Sequence, residues 1–183
     1  RNNMAQAPLP VVYREPDLRV TNLTVPDTIA GGGTFAVTFT VTNVGNRATR
    51  EATWTDRIYL SHDPSLGESD YQLRDERDAQ AIVDARVVHE GGLGVGESYT
   101  ATVMATMPFE VSGDFHVLAF TDSGVAASGW ARSDISARLP GVRGIVTGLV
   151  REFQGEGNNL TAAPLTVTPF VPPDLQVTAL TAS

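Results

Sequence analysis

The chain has 183 residues, 42% of them apolar, and a net charge of −8 at pH 7. That is enough for one ordinary domain with a hydrophobic core, and the acidic balance disfavours a surface for nucleic acid or for anionic membranes. There is no Cys and all 13 basic residues are Arg, which excludes disulfides, thiolate metal sites and a Lys–Asn amide staple, so any staple beyond the core has to be a metal; no apolar run approaches the ~18 residues of a membrane span.

The apolar period along the chain is 2, which predicts strands. The first is "DLRVTNLTV" (17–25), opened by Pro16 and Asp17, where a missing N–H costs no ladder bond. Next, "TFAVTFTVTN" (34–43) sets Phe35, Val37, Phe39 and Val41 on one face against Thr and Ala on the other. Asn43 and Gly45 follow as turn residues, a side-chain amide to close the turn and a Gly to pass through it. "TWTDRIYLS" (53–61) carries Trp54, the large indole that a sandwich commonly buries at its centre. "AIVDARVV" (81–88) and "ESYTATVMATM" (97–107) continue the set, the latter alternating Tyr99, Ala101, Val103 and Ala105 with Thr and Met. "DFHVLAFTD" (114–122) is apolar on both faces, which predicts a central strand. "GIVTGLV" (144–150) and "APLTVTPF" (163–170) close the list, with Asn158 and Asn159 forming a turn before the last strand. Gly, Pro, Asn and Asp clusters punctuate these segments, and no stretch reads as an amphipathic helix of ten residues. Seven or eight short strands at this spacing predict an all-β sandwich.

The two ends of the chain repeat one another. Asn2, Asn3, Ala7, Pro8, Leu9 and Val11 match Asn158, Asn159, Ala163, Pro164, Leu165 and Val167. After one added residue, Pro16, Asp17, Leu18, Val20, Thr21, Leu23 and Thr24 match Pro173, Asp174, Leu175, Val177, Thr178, Leu180 and Thr181. Ordered matches of this kind predict a tandem array. Residues 1–14 are then the last strand of a preceding repeat plus a linker, 15–170 one full sandwich, and 171–183 a linker and the first strand of a following repeat. The prolines of "TPFVPPDLQV" favour a stiff, extended connection. The overhanging segments could also add as strands to neighbouring sandwiches, a head-to-tail mode that gives filaments.

"PDLRVTNLTV", "VTNVGNRAT", "WTDRIYLSHDPSLGESDYQL", "LGVGESYTATVMATMP", "GDFHVLAFTDS" and "VREFQGEGNNL" come in an order that resembles the CARDB family, the cell adhesion related domain found in bacteria. The resemblance spans about residues 16 to 168. It implies an immunoglobulin-like β-sandwich, used in tandem in secreted or surface-anchored extracellular proteins of bacteria and archaea, with neighbouring copies of the repeat as partners and no enzyme activity. The chain departs from the family at 123–144, "SGVAASGWARSDISARLPGVRG", where typical members make a tight turn.

The strongest candidate for chemistry is "SHDPSLGESDYQL" (61–73). Asp63, Glu68 and Asp70 around a Gly-containing turn offer oxygens of the kind calcium needs, with Asp56, Asp122, Glu152 or Asn158 as further donors if the fold brings them there. The run lacks the spacing of an EF-hand loop, and a solvated acidic turn is its bland alternative. Asp75, Glu76, Arg77 and Asp78 read as a solvated charge run. Ser61, His62 and Asp63 are triad residue types, but neighbours on a strand point to opposite faces and do not converge. His89 and His116 lie in separate strands without clustered ligands. "GGGTF" and "GGLGVG" lack the helix a phosphate loop needs. A second reading is a binding module, with Trp130 in the 123–144 loop as the platform for a surface polysaccharide or protein.

Overall fold

The computed structural model describes residues 7–66, 71–72, 74–75, 85–123, 148–152 and 157–174. Among these there is no helix. The strands are β1 (Leu18–Thr24), β2 (Thr28–Ala30), β3 (Thr34–Asn43), β4 (Thr53–Ser61), β5 (Tyr71–Gln72), β6 (Arg74–Asp75), β7 (Arg86–Glu90), β8 (Ser98–Thr106), β9 (Gly113–Phe120) and β10 (Leu160–Thr168). They form two sheets, one ordered β1-β3-β8-β6, the other β2-β10-β9-β4, with β5 and β7 both on the far side of β4. Every pairing is antiparallel except β10 with β2.

The alternation in β3 does what its period requires. Phe35, Val37, Phe39 and Val41 are buried between the sheets. The outward hydroxyls pair across the strands: Thr38 with Thr102 (2.8 Å), Thr40 with Thr100 (2.9 Å) and Thr42 with Ser98 (2.8 Å). From the other sheet, Trp54, Ile58, Leu60, Phe115, Val117, Ala119, Leu165 and Val167 fill the same core; each large side chain fully buried there contributes about 1.5–3 kcal/mol. β9 lies between β10 and β4. Its second apolar face, Leu118 and Phe120, makes a smaller cluster with Tyr59.

Two predicted strands end differently. Of the segment 81–88, β7 takes up only its last residues and runs on to Glu90, while 81–84 lie outside the described residues. In the segment 144–150, residues 148–150 form a bend and not a strand. The N–H groups of Leu149 and Val150 donate to the carboxylate of Asp122 at 2.9 and 2.8 Å and so are lost to any ladder.

The strand directions define two poles. Leu18 opposes Asn43 and Thr42 opposes Ser98, so the chain enters the sandwich where β3 ends and β8 begins. Val167 opposes Gly113 and Thr34 opposes Thr106, so the chain leaves at the opposite pole.

Candidate functional site

The entering pole is organised by Asn43, which is fully buried. Its Oδ1 accepts from the N–H of Asp17 (3.2 Å) and of Gly45 (3.1 Å), and its Nδ2 donates to the carbonyls of Arg47 (2.8 Å) and Leu93 (3.0 Å). One amide thereby ties together the incoming segment, its own turn and the β7–β8 loop. Glu15 and Asn46 exchange bonds through the Glu15 N–H (3.0 Å) and the Asn46 N–H (3.1 Å), and Glu15 pairs with Arg50. The Arg50 hydrogen bond holds the Glu15 carboxyl below its ordinary range. Gly45 has to be Gly because a Cβ there would stand 2.5 Å from the Glu15 carbonyl oxygen and 2.6 Å from the Asp17 nitrogen.

Behind this pole lies a buried polar network joining the sheets. Trp54 Nε1 donates to the Tyr99 hydroxyl (2.9 Å), and that hydroxyl donates to Asp56 Oδ2 (2.6 Å). Asp56 Oδ1 accepts from Thr121 Oγ1 (2.7 Å) and the Asp122 N–H (3.2 Å). His89 stacks on Tyr99 with centroids 3.8 Å apart and lies 4.2 Å from the Trp54 ring. Burial pushes the Asp56 carboxyl up to about 6, against the hydrogen bonds, which favour its ionised form. Burial, then the Asp56 charge, pushes the Tyr99 phenol up, and burial pushes the His89 imidazole down.

The stem of the 123–144 segment is pinned at the same pole. Asp122 has φ 48°, a left-handed conformation that Asp tolerates better than most residues, and it grips Leu149 and Val150. Gly148 is packed so closely that a Cβ would overlap the Asp122 carboxylate. Arg57, buried, donates to the carbonyl and hydroxyl oxygens of Ser123 at 3.3 and 2.9 Å. Glu152 Oε1 accepts from the Leu18 N–H at 2.6 Å. Trp130 lies outside the described residues.

The structure divides the oxygen donors expected around one calcium. Asp56, Asp122 and Glu152 gather at the entering pole, each accepting from protein N–H or O–H groups. Asp63 lies beyond the other end of β4; the strand from Asp56 to Ser61 alone spans roughly 17 Å, so Asp56 and Asp63 cannot share an ion. Asp63 is exposed and accepts on Oδ1 from the Ser65 N–H (2.8 Å) and the Ser65 hydroxyl, bonds that hold its carboxyl below the ordinary range. Glu68 and Asp70 lie outside the described residues. Among the described residues no three His, Asp or Glu side chains are grouped to hold a metal. Ser61 is buried and bonded within the turn, while the exposed His62 lies tilted against Phe115 with centroids 4.4 Å apart, so these neighbours do diverge. Asn159 is buried and its carbonyl accepts from the Thr121 N–H (3.0 Å), which fixes the turn at 157–159, Asn158 included, before β10.

Sequence reasoning missed the Asp56–Tyr99 pair and the Asp122 grip. The first had a signal: Trp54 and Asp56 are two apart on one strand, so a buried indole puts the carboxylate on the inward face. The second had none, because it depends on where the chain returns after two dozen residues.

No family model and no curated protein matches the sequence. Among solved structures, the chain is similar to the CARDB domain of a Pyrococcus furiosus protein in complex with di-metal ions, at 17% identity over 87% of this chain and 95% of that one, TM-score 0.45. The solution structure of a CARDB domain from the same organism is similar at 17% identity over 85% and 97%, TM-score 0.44. A beta-glucosidase from Listeria innocua in complex with isofagomine is similar at 13% identity and TM-score 0.38, and the match spans 87% of this chain and 17% of the enzyme.

Proposed function

We propose that this chain is a non-catalytic structural or adhesion module of the CARDB type, one repeat of a tandem array that forms an extracellular stalk on, or shed from, a prokaryotic cell. One observation carries the reading. Leu165 and Val167 on β10 are buried, each 2% exposed, while their repeat equivalents Leu9 and Val11 are 83% and 72% exposed. The same strand motif is thus present twice, once with a sandwich to fill and once without. The opposite placement of the entering and leaving poles fits the same idea, since repeats joined that way extend and do not fold back.

Removal of residues 1–12 tests this reading. The segment belongs to a preceding sandwich, so the melting midpoint should move by less than about 2 °C, because exposed side chains contribute little. A fall of many degrees would mean that the segment completes this sandwich, and would end the tandem reading.

Calcium is a finer part of the proposal and rests on the carboxylates of the 61–73 sequence, Asp63, Glu68 and Asp70, without Asp56. A melt in EDTA and then in millimolar calcium, with light scattering on the same samples, decides it. Metal bound only by the folded state raises the midpoint, and Asp63→Ala removes the rise. The alternative, recognition of a surface glycan or protein by the 123–144 loop, draws on what holds its flanks: Arg57 binds Ser123, and Asp122 binds Leu149 and Val150, at one pole.

A further inference from the structure

Among the described residues, the exposed large apolar side chains are not spread over the sandwich. All except Val88 lie in the entering segment, at one of the two poles, or at the start of the leaving segment. Val44 and Val95 stand at the entering pole, 44% and 57% exposed. Phe109, Phe170 and Val171 stand at the leaving pole, 59%, 43% and 82% exposed. Phe109 and Phe170 meet edge to face at 5.0 Å. They rest on two glycines: a Cβ on Gly31 would stand 3.3 Å from the Phe170 nitrogen, and one on Gly32 would overlap the Phe109 ring.

We infer that the leaving pole is a docking surface for the entering pole of the following repeat, with the aromatic pair as its centre. The inference rests on the tandem reading and says what the junction is. The connection is too short for the poles to stay apart. Phe170 is held on its own sandwich. Asp174 corresponds to Asp17, which is tied to Asn43 and Val44 of the sandwich it enters. Only Val171, Pro172 and Pro173 lie between, so the two anchored Cα atoms are at most about 14 Å apart. Two prolines in that span narrow its geometry further. Pro172 corresponds to Glu15: its carbonyl can accept from an Asn46-like N–H as Glu15 does, but it has no N–H to give back and no carboxylate for an Arg50-like partner. The junction leaving this repeat therefore exchanges a polar attachment for an apolar one, on the side where Phe109 and Phe170 wait.

The test is a double-length chain, residues 1–173 followed directly by residues 17–183. The equivalence of Pro173 with Pro16 keeps natural sequence on both sides of the joint. The chain has no Cys, so Glu90→Cys in both halves places one spin label on each sandwich for a distance measurement. A docked junction gives one narrow distance distribution, and Phe109→Ser in the leading half broadens it about twofold by freeing the connector. In the single chain the same substitution should leave the midpoint within a few degrees, since the ring is already largely in water. A broad distribution in the parent double chain, or no response to Phe109→Ser, overturns the docked junction while leaving the tandem reading intact. A trailing half that fails to fold overturns the tandem reading itself, and the junction with it.

Discussion

Replacing Asn43 by Ala tests the idea that one buried amide organises the entering pole. Asn43 makes all four hydrogen bonds that a side-chain amide can make, two accepted and two donated. Asn43→Ala removes the four and strands their partners. Arg47 is an exposed residue and Asp17 and Gly45 are part-exposed, so water can replace those bonds in part, but Leu93 is buried. Counting about 0.5–1 kcal/mol for each of the four bonds, and about 1 kcal/mol more for the partner left in a dry position, gives about 3–5 kcal/mol. That is a large part of the ~5–15 kcal/mol typical of a domain, and corresponds to a fall of roughly 10 °C in midpoint at this size. Urea unfolding followed by tryptophan fluorescence would measure it, because Trp54 reports on the core beside this pole. Asn43→Asp is the informative control: it keeps both accepted bonds but turns a carboxylate oxygen, in place of the donor, toward two carbonyls, so it should be no better than Ala. A cost below about 1 kcal/mol for Asn43→Ala, with an unchanged urea slope, would refute the reasoning and show that the turn stands without its amide.

Asp56 should make stability depend on pH. Its folded pKa, about 6, lies above the unfolded 3.8, so the folded state binds the proton more tightly; the contribution is complete below about pH 4 and is lost as pH rises through 6, to the extent of on the order of 3 kcal/mol. Urea titrations at pH 4.5 and 7 should show this component in the parent chain and lack it in Asp56→Asn; equal pH differences in the two would count against it. Asp122→Ala should cost about 2–4 kcal/mol, because the Leu149 and Val150 N–H groups lose their acceptor. Asp122→Asn, which tolerates the left-handed backbone and keeps one oxygen, should cost less than Ala by urea unfolding, and the reverse order would mean that the grip is not carried by those bonds.

Much of the fold was legible because a period of 2 in a half-buried strand leaves little choice. β3 and β8 could be read residue by residue, down to which Thr faces outward. β9 was placed in the middle of its sheet by its two apolar faces. The pieces that escaped, β2, β5 and β6, are two or three residues long, too short to show any period. Of the "GIVTGLV" segment, whose composition is β-type, 144–147 lie outside the described residues and 148–150 are a bend, because the N–H groups of Leu149 and Val150 go to Asp122, a partner some 27 residues earlier. The acidic residues show the same limit. Sequence counts carboxylates but cannot tell which are spent on the protein's own N–H groups, and Asp56, Asp122 and Glu152 are spent that way.

The placement of the entering and leaving segments at opposite poles has a mechanical consequence. Tension applied through them would draw β1 out past Leu18 at one pole and β10 out past Thr168 at the other, each along its own axis. The β1–β3 ladder, from Leu18 opposite Asn43 to Thr24 opposite Thr38, and the β10–β9 ladder, from Leu160 opposite Phe120 to Val167 opposite Gly113, would then be loaded in shear. In that geometry the hydrogen bonds of a ladder resist together, where peeling from one end would break them in succession. A sandwich threaded this way is built to stay closed under a pull along the chain.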